Sequence, residues 1–383
     1  MKIIIAPDSF KESMSAEIAA NAVMKGFQAV FPNAQYICLP IADGGEGTVD
    51  TLIAAVGGER VKTKVTDPLG QPINAYYGLL QQGKTAVIEM AQASGLMLIK
   101  PEQRNPMLTN SYGTGQLIKS ALDKGVQHII LGIGGSATVD GGVGMLQALG
   151  ANFYDNQQKI LSLNGNVLNQ IESIDVSALD PRLKSCLIDV ACDVDNPLEG
   201  ERGAAVVFGP QKGATPEMVA ALEKGLNQFA DVVKRIKNKD YRYIPGSGAA
   251  GGGSVAIMAF MNAQLKPGID IVIDAVKLVH HMADADLVIV GEGSMDGQTT
   301  GGKAPLGIAK VAAKHHVPVI ALSGVLGQGV EVLHEKGIDA FFSILPKVCK
   351  LEDALVQGEM NLQRTAYNVA SALKIGQQLL PKK

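Results

Sequence analysis

Several short stretches of the chain set carboxylates, lysines or hydroxyls among glycines, a composition suited to handling phosphate or a small acid. Near the start, PDSFK holds Asp8, Ser9 and Lys11, and ADGGEGT holds Asp43 and Glu46. Toward the other end, GEGSMDGQTTGGKAP holds Glu292 and Asp296, then Gly301, Gly302 and Lys303. Between them lie GIGGSA with Gly134, Gly135 and Ser136, CDVDNP with Asp193 and Asp195, and FGPQKGA with Lys212. Backbone N–H groups of glycine turns cradle anions, and lysines add point charges. Carboxylates hold Mg²⁺ with waters or accept a hydroxyl proton.

Each motif has a plainer reading. GQTTGGKA stops one residue short of a Walker A loop, because Ala304 has no hydroxyl and GEGSMD separates Val290 from Gly297. As a P-loop the match is coincidental, although the glycines and Lys303 before a helix still suit a phosphate. GIGGSA fits GxGxxA and GSGAAG at 246–251 fits GxGxxG. A nicotinamide fingerprint would lead directly into a helix, whereas Asp140 and a glycine pair intervene. In CDVDNP, strand alternation would point Asp193 and Asp195 to one face, or the same residues form an Asx turn before Pro197. The histidines show no metal-ligand spacing, the four cysteines no CxxC, and no GxSxG elbow occurs.

The elements that must position these residues alternate as β/α units. KIIIA, apolar at every position, reads as a strand covered on both faces. Ser15 N-caps a helix with apolar spacing to Val30, a strand follows at Tyr36 to Ile41, and a helix runs through Val56. The pattern returns at DLVIV near residue 286, with a helix to His316, VPVIAL, a helix near Val330 to Lys336, AFFSIL and a final helix. In between, Val61 to Leu80 alternates with period two around DPLGQP and reads as a hairpin. Strands at Ala86 to Met90, HIILGIG and Leu187 to Ala191 follow, with helices near Thr114 to Asp123 and Thr215 to Arg235. The expected fold is α/β, with residues 1–60 and 281–383 sharing a parallel sheet and 61–280 inserted as a second α/β domain. The loops at the carboxyl ends of the strands would then gather the charged residues on one edge.

With 34 basic and 37 acidic residues, the chain has no charge bias toward nucleic acid or membrane surfaces, and 4% aromatics without Trp leave no stacking platform. No apolar run reaches about 18 residues, and MKIIIAPDSF lacks a secretory core, so a cytoplasmic protein with a small-molecule partner is expected.

Together APDSFKESMSA, PIADGGEGT, GIGGSATVDGG, ACDVDNPLEGERGAAVVFGPQKGA, KPGIDIVIDAV and GEGSMDGQTTGGKAP resemble, in order, the motifs of the glycerate kinase type 1 family. The resemblance implies ATP-dependent phosphorylation of D-glycerate, on the 2-hydroxyl in bacterial members, by a flavodoxin-like domain carrying an inserted α/β domain with a mixed sheet. Three positions depart from it: Glu12, Val139 and Ser294 stand where the family usually has Gly, Asn and Arg. Phosphoryl transfer asks for phosphate donors, carboxylates for Mg²⁺ and a carboxylate near the attacking hydroxyl. For that chemistry Asp193 is the expected proton acceptor and Asp296 its rival. Asp8, Ser9, Lys11, Asp43 and Glu46 would bind substrate, Lys11 facing its carboxylate. Gly134, Gly135, Ser136, Lys212, Gly301, Gly302 and Lys303 would bind ATP, and Asp195 and Glu292 would hold the metal. The competing readings are a NAD-dependent hydroxy-acid dehydrogenase, which lacks an ordered fingerprint here, and a non-catalytic small-acid binding protein, for which lysines and carboxylates are in surplus.

Overall fold

The computed structural model describes residues 1–379 other than 43, 44, 46, 163 and 298–303. In chain order the strands are β1 Lys2–Pro7, β2 Gln35–Cys38, β3 Gly58–Thr66, β4 Pro72–Leu80, β5 Thr85–Glu89, β6 His128–Gly132, β7 Asn152–Tyr154, β8 Ser173–Asp175, β9 Leu187–Ala191, β10 Ala263–Lys266, β11 Leu287–Met295, β12 Val319–Leu326 and β13 Ala340–Ser343. The chain forms two compact units, one of Met1–Asp43, Asp50–Gly57 and Ile269–Lys383, the other of Gly44–Val49 and Gly58–Gly268.

In the first unit the strands run β13-β12-β11-β1-β2, and every neighbouring pair is parallel. This is the flavodoxin-like order, with the chain reversing direction across the sheet between β1 and β11. Ile3, Ile4 and Ile5 are fully buried, as a strand covered on both faces requires. The helix Ala16–Gln28 begins where Ser15 Oγ accepts the Ile18 N–H at 3.3 Å, and its inner face is small except for Val23 and Phe27. Gly26 lies on that face. A Cβ there would stand 2.5 Å from the Gln363 carbonyl and 2.8 Å from Ala366 Cβ, so the helix crosses the final helix, Gly358–Leu379, almost backbone to backbone.

One expectation fails in this sheet. Glycines at 291 and 293 suggest that the strand ends at Val290, yet β11 continues to Met295. The reason is that β12 overruns with it: Glu292, Ser294 and Met295 pair with Ser323, Val325 and Leu326. A Cβ on Gly324 would lie 2.4 Å from the Gly293 carbonyl oxygen, so these glycines serve close approach of two strands rather than a turn.

The second unit is built on a six-stranded mixed sheet, β10-β9-β6-β5-β4-β3, in which β10 to β5 are parallel and β4 and β3 antiparallel. The DPLGQP turn closes the β3–β4 hairpin because Asp67 Oδ1 accepts the N–H groups of Leu69 and Gln71, both at 2.8 Å. Tyr77, Phe153 and Phe229 are fully buried in its core. The long helix Pro216–Lys237 carries its signals in order: Thr215 as N-cap, Pro216 and Glu217 in the first turn, basic residues in the last, and Asn238 in the left-handed region. Among the described residues no helix is long and apolar enough to cross a membrane.

Candidate active site

The first group of predicted residues lies at the carboxyl edge of the flavodoxin-like sheet, beside the point where the strand order reverses. Such an edge leaves a crevice, because the connections on either side of the reversal depart to opposite faces. β1 delivers Asp8, whose N–H donates to the Gly291 carbonyl at 2.8 Å, and Asp8 Oδ1 accepts the Ser9 N–H at 2.6 Å. The chain then doubles back, with Phe10 and Met14 exchanging backbone hydrogen bonds of 3.0 and 2.9 Å. Glu12 sits in this loop at φ 64°, the left-handed region that suits glycine, and Lys11 beside it is exposed. Glu292 is buried on β11, and Asp296 follows the strand, its loop held by Gly297 N–H to the Gln328 carbonyl at 3.1 Å. A cavity of about 580 Å³ opens here, with Asp8, Ser9, Lys11 and Glu292 among the residues that line it.

In the second unit β6 leads into Gly134-Gly135-Ser136. Gly135 has φ 67°, its carbonyl accepts the Leu96 N–H at 2.8 Å, and Ala137 N–H donates to the Ser94 carbonyl at 2.8 Å, so the loop is pinned from one side. Lys212 pins it from the other. Its Nζ donates to Ser136 Oγ at 2.9 Å and to the Thr138 carbonyl at 2.7 Å, and the residue is 3% exposed. Burial pulls the ammonium down to about 7, with Asp140 acting in the opposite direction. An expected phosphate contact is thus a buried lysine with two of its donors committed to the loop.

Asp140, which sequence reasoning treated only as an interruption, is fully buried. Its carboxylate accepts from the N–H and Oγ of Ser111 at 2.8 and 2.7 Å, and from the N–H groups of Gly142 and Gly144 at 3.1 and 3.3 Å. Glu89, at the end of β5, was likewise missed; it is buried, and its Oε1 accepts the Val49 N–H at 2.8 Å. A signal for Asp140 was present in Asp-Gly-Gly, since a carboxylate followed by glycines meets bare N–H groups. Glu89 is the last residue of β5, inside a run read simply as a strand, and gave none.

Of the two readings of CDVDNP, strand alternation and a turn, strand alternation does not hold. β9 ends at Ala191, beside the end of β10 at Lys266: Cys192 N–H still donates to the Lys266 carbonyl at 2.9 Å, but the next donor on that side, Gly268 N–H, goes to the Asp193 side chain. Asp193 and Asp195 therefore lie beyond the strand, where alternation does not operate. Asp193 Oδ1 accepts the Gly268 N–H at 2.9 Å, ahead of the helix Gly268–Ala275, whereas Asp195 forms an exposed ion pair with Arg202. Among the described residues no three His, Cys, Asp or Glu side chains converge as a metal site. Asp43, Glu46, Gly301, Gly302 and Lys303 lie outside the described residues.

A family model described as the glycerate kinase family matches residues 3–374. This chain belongs to the glycerate kinase family. It is 51% identical to glycerate 2-kinase of Escherichia coli K12 over 376 residues, covering 98% of this chain and 99% of that one. Glycerate kinase of Haemophilus influenzae is 53% identical over 373 residues, with 97% and 99% covered. A crystal structure of a Salmonella typhimurium LT2 protein named for glycerate kinase 2 superposes with a TM-score of 0.92 at 52% identity, covering 99% of this chain and all of that one. Membership in the glycerate kinase family accounts for the order of the motifs and makes the chain a kinase that uses ATP. Of the three departures from the resemblance, Glu12 bears most directly on structure, because it stands at a left-handed position that suits glycine.

Proposed function

We propose that this glycerate kinase transfers the γ-phosphoryl group of MgATP to the 2-hydroxyl of D-glycerate, giving 2-phospho-D-glycerate and ADP. The observation that carries the reading is identity of about half the residues, over nearly the whole of both chains, with a protein named glycerate 2-kinase. Family membership sets aside the dehydrogenase and the non-catalytic binder.

The reaction asks the protein mainly for placement and for charge. Lys11 supplies the cation for the glycerate carboxylate, with Ser9 and Asp8 as partners for its hydroxyls. Asp193 accepts the proton of the attacking hydroxyl as the oxygen bonds to phosphorus and the bond to ADP breaks, with Asp296 the alternative acceptor. The part of Lys212 is to fix the Gly134–Ser136 loop, whose backbone N–H groups meet anionic oxygens. Mg²⁺ enters with the nucleotide as part of the substrate. It neutralises phosphate charge and needs only one or two protein carboxylates, a demand that Glu292 can meet and Asp195 can meet only by releasing Arg202. The four unpaired cysteines and the need for ATP suit the cytoplasm.

The test is phosphorus NMR of the purified protein with MgATP and D-glycerate, which separates the 2- from the 3-phosphate ester. A 2-phosphoglycerate signal growing with ADP is the expected result. No ester from folded protein would sink the reading, and a 3-phosphate would correct its regiochemistry.

A further inference from the structure

The cavity at the edge of the flavodoxin-like sheet is lined by two chemically different sets of residues, and D-glycerate can use only one. Ser9 and Lys11 belong to the polar set. The apolar set includes Ile344, Leu345, Leu351 and Leu355, which follow β13. β11 and β12 also contribute Gly293 and Gly324, so part of the lining is backbone, from two strands too close for a Cβ on Gly324. Every carbon of glycerate bears oxygen, and such a molecule gains nothing from a leucine wall. The co-substrate is different: ATP joins a planar, weakly polar base to a highly charged chain. A volume of about 580 Å³ falls within the range of small-molecule sites, roughly 300–1,000 Å³.

We propose that the apolar wall of this cavity receives the adenine ring of ATP, lying over the backbone of Gly293 and Gly324, with the terminal phosphate directed at the glycerate that Ser9 and Lys11 hold. The proposal rests on the kinase reading and adds the location of the base. Leu351 is 70% exposed, and a stacked ring would cover it. Cys349 lies on the same wall and is half-buried, so it reports occupancy without any role in the chemistry. Cys38, Cys186 and Cys192 do not line the cavity and serve as internal controls.

The experiment is alkylation of the intact protein by N-ethylmaleimide, followed residue by residue through peptide mass spectrometry. It is run with no addition, with adenosine, with a non-hydrolysable MgATP analogue and with D-glycerate. At about ten times the dissociation constant, adenosine and the analogue should each slow labelling of Cys349 about tenfold by simple occupancy, leaving Cys38 and Cys192 unchanged. D-Glycerate should leave Cys349 unprotected. As a second measurement, Ala354→Trp, which fills the same wall from a half-buried position, should raise KM for ATP about tenfold or more with KM for D-glycerate within about twofold. Unchanged Cys349 labelling under saturating analogue, in protein that phosphorylates glycerate, overturns the base site and leaves the kinase reading standing. Protection by D-glycerate alone overturns it too, assigning the cavity to the acid. Protection by adenosine in a protein that phosphorylates no glycerate supports the base site and removes the proposed substrate instead.

Discussion

At the scale of single residues, the side chains in these loops differ in how much structural work they already do, and that decides how each should respond to substitution. Asp193 accepts a backbone N–H, and Asn keeps an oxygen for that bond. Asp193→Asn should therefore leave the urea midpoint nearly unchanged while kcat falls about 10²- to 10⁴-fold, the usual scale for loss of a general base. A change within about threefold moves the role to Asp296. Lys212 is the opposite case. Burial holds its ammonium near 7 against an ordinary 10.5, so the folded protein binds this proton less tightly than the unfolded chain. Unfolding then takes up a proton between those two values, and stability from this group is lowest below about 7 and rises with pH across the window. Lys212→Met should flatten that rise in urea titrations at pH 7.5 to 9.5 by up to about 1.4 kcal/mol per pH unit. An unchanged slope would mean that the lysine is not buried as described. Glu12 adds a smaller effect of its own. A non-glycine residue at φ 64° carries roughly 1–2 kcal/mol of strain, and glycine carries about 0.5–1 kcal/mol of extra chain entropy in the unfolded state. Glu12→Gly should accordingly stabilise the protein by about 0.5–1 kcal/mol, and a loss of stability would show that Glu12 earns its place through contacts.

At the scale of elements, local chemistry was legible and long-range fit was not. Ser15 announced a helix start because capping is read within four residues of sequence, and its side chain does accept the Ile18 N–H; Thr215, read as the first residue of its helix, proves to be the cap before it. Asp67 announced its turn in the same way. The overrun of β11 stayed hidden because Gly291 and Gly293 look like turn residues until β12, some thirty positions later, is seen to run beside them. The strand and turn readings of Asp193 and Asp195 could not be separated for a related reason: whether a strand persists depends on its neighbour, and β10 ends at Lys266. Gly26 shows the same limit inside a helix. By propensity alone, Gly26→Ala should stabilise the helix by about 0.5–1 kcal/mol. A methyl group at 2.5 Å from the Gln363 carbonyl forces the two helices apart, and overpacking of this kind costs about 1–3 kcal/mol. The crossing should win, so Gly26→Ala is expected to lower stability by about 1–2 kcal/mol in urea, whereas a gain would mean that the helices can slide.

At the scale of the whole molecule, the two units are joined by the chain in different ways. The first is assembled from three separated segments, whereas the second is nearly continuous, with only residues 44–49 arriving from elsewhere. Change in sequence character marks the region from residue 61 to 280, and the compact units part at 57/58 and 268/269. The later boundary falls earlier because Ile269 packs into the space a Cβ on Gly307 would fill, 2.3 Å from its Cγ1, tying that helix to the first unit. Each unit has its own apolar core. One cluster runs from Val65 to Met261 and contains nothing outside 58–268, and the other uses only residues before 31 and after 286. A chain of residues 58–268 keeps its sheet, its core, the Lys212 clamp and the Asp140 hydrogen bonds, and loses the Val49 N–H that Glu89 accepts. That loss leaves a buried carboxylate short of one donor, at a cost of about 1–3 kcal/mol, against the 5–15 kcal/mol typical of a folded domain. The fragment should therefore fold alone and unfold in urea in one cooperative transition by circular dichroism and by Tyr fluorescence together. Glu89→Gln in the fragment should recover part of the lost stability by removing the buried charge. A fragment without a cooperative transition, or with one that Glu89→Gln leaves unmoved, would show that residues 58–268 depend on the rest of the chain for more than the segment 44–49.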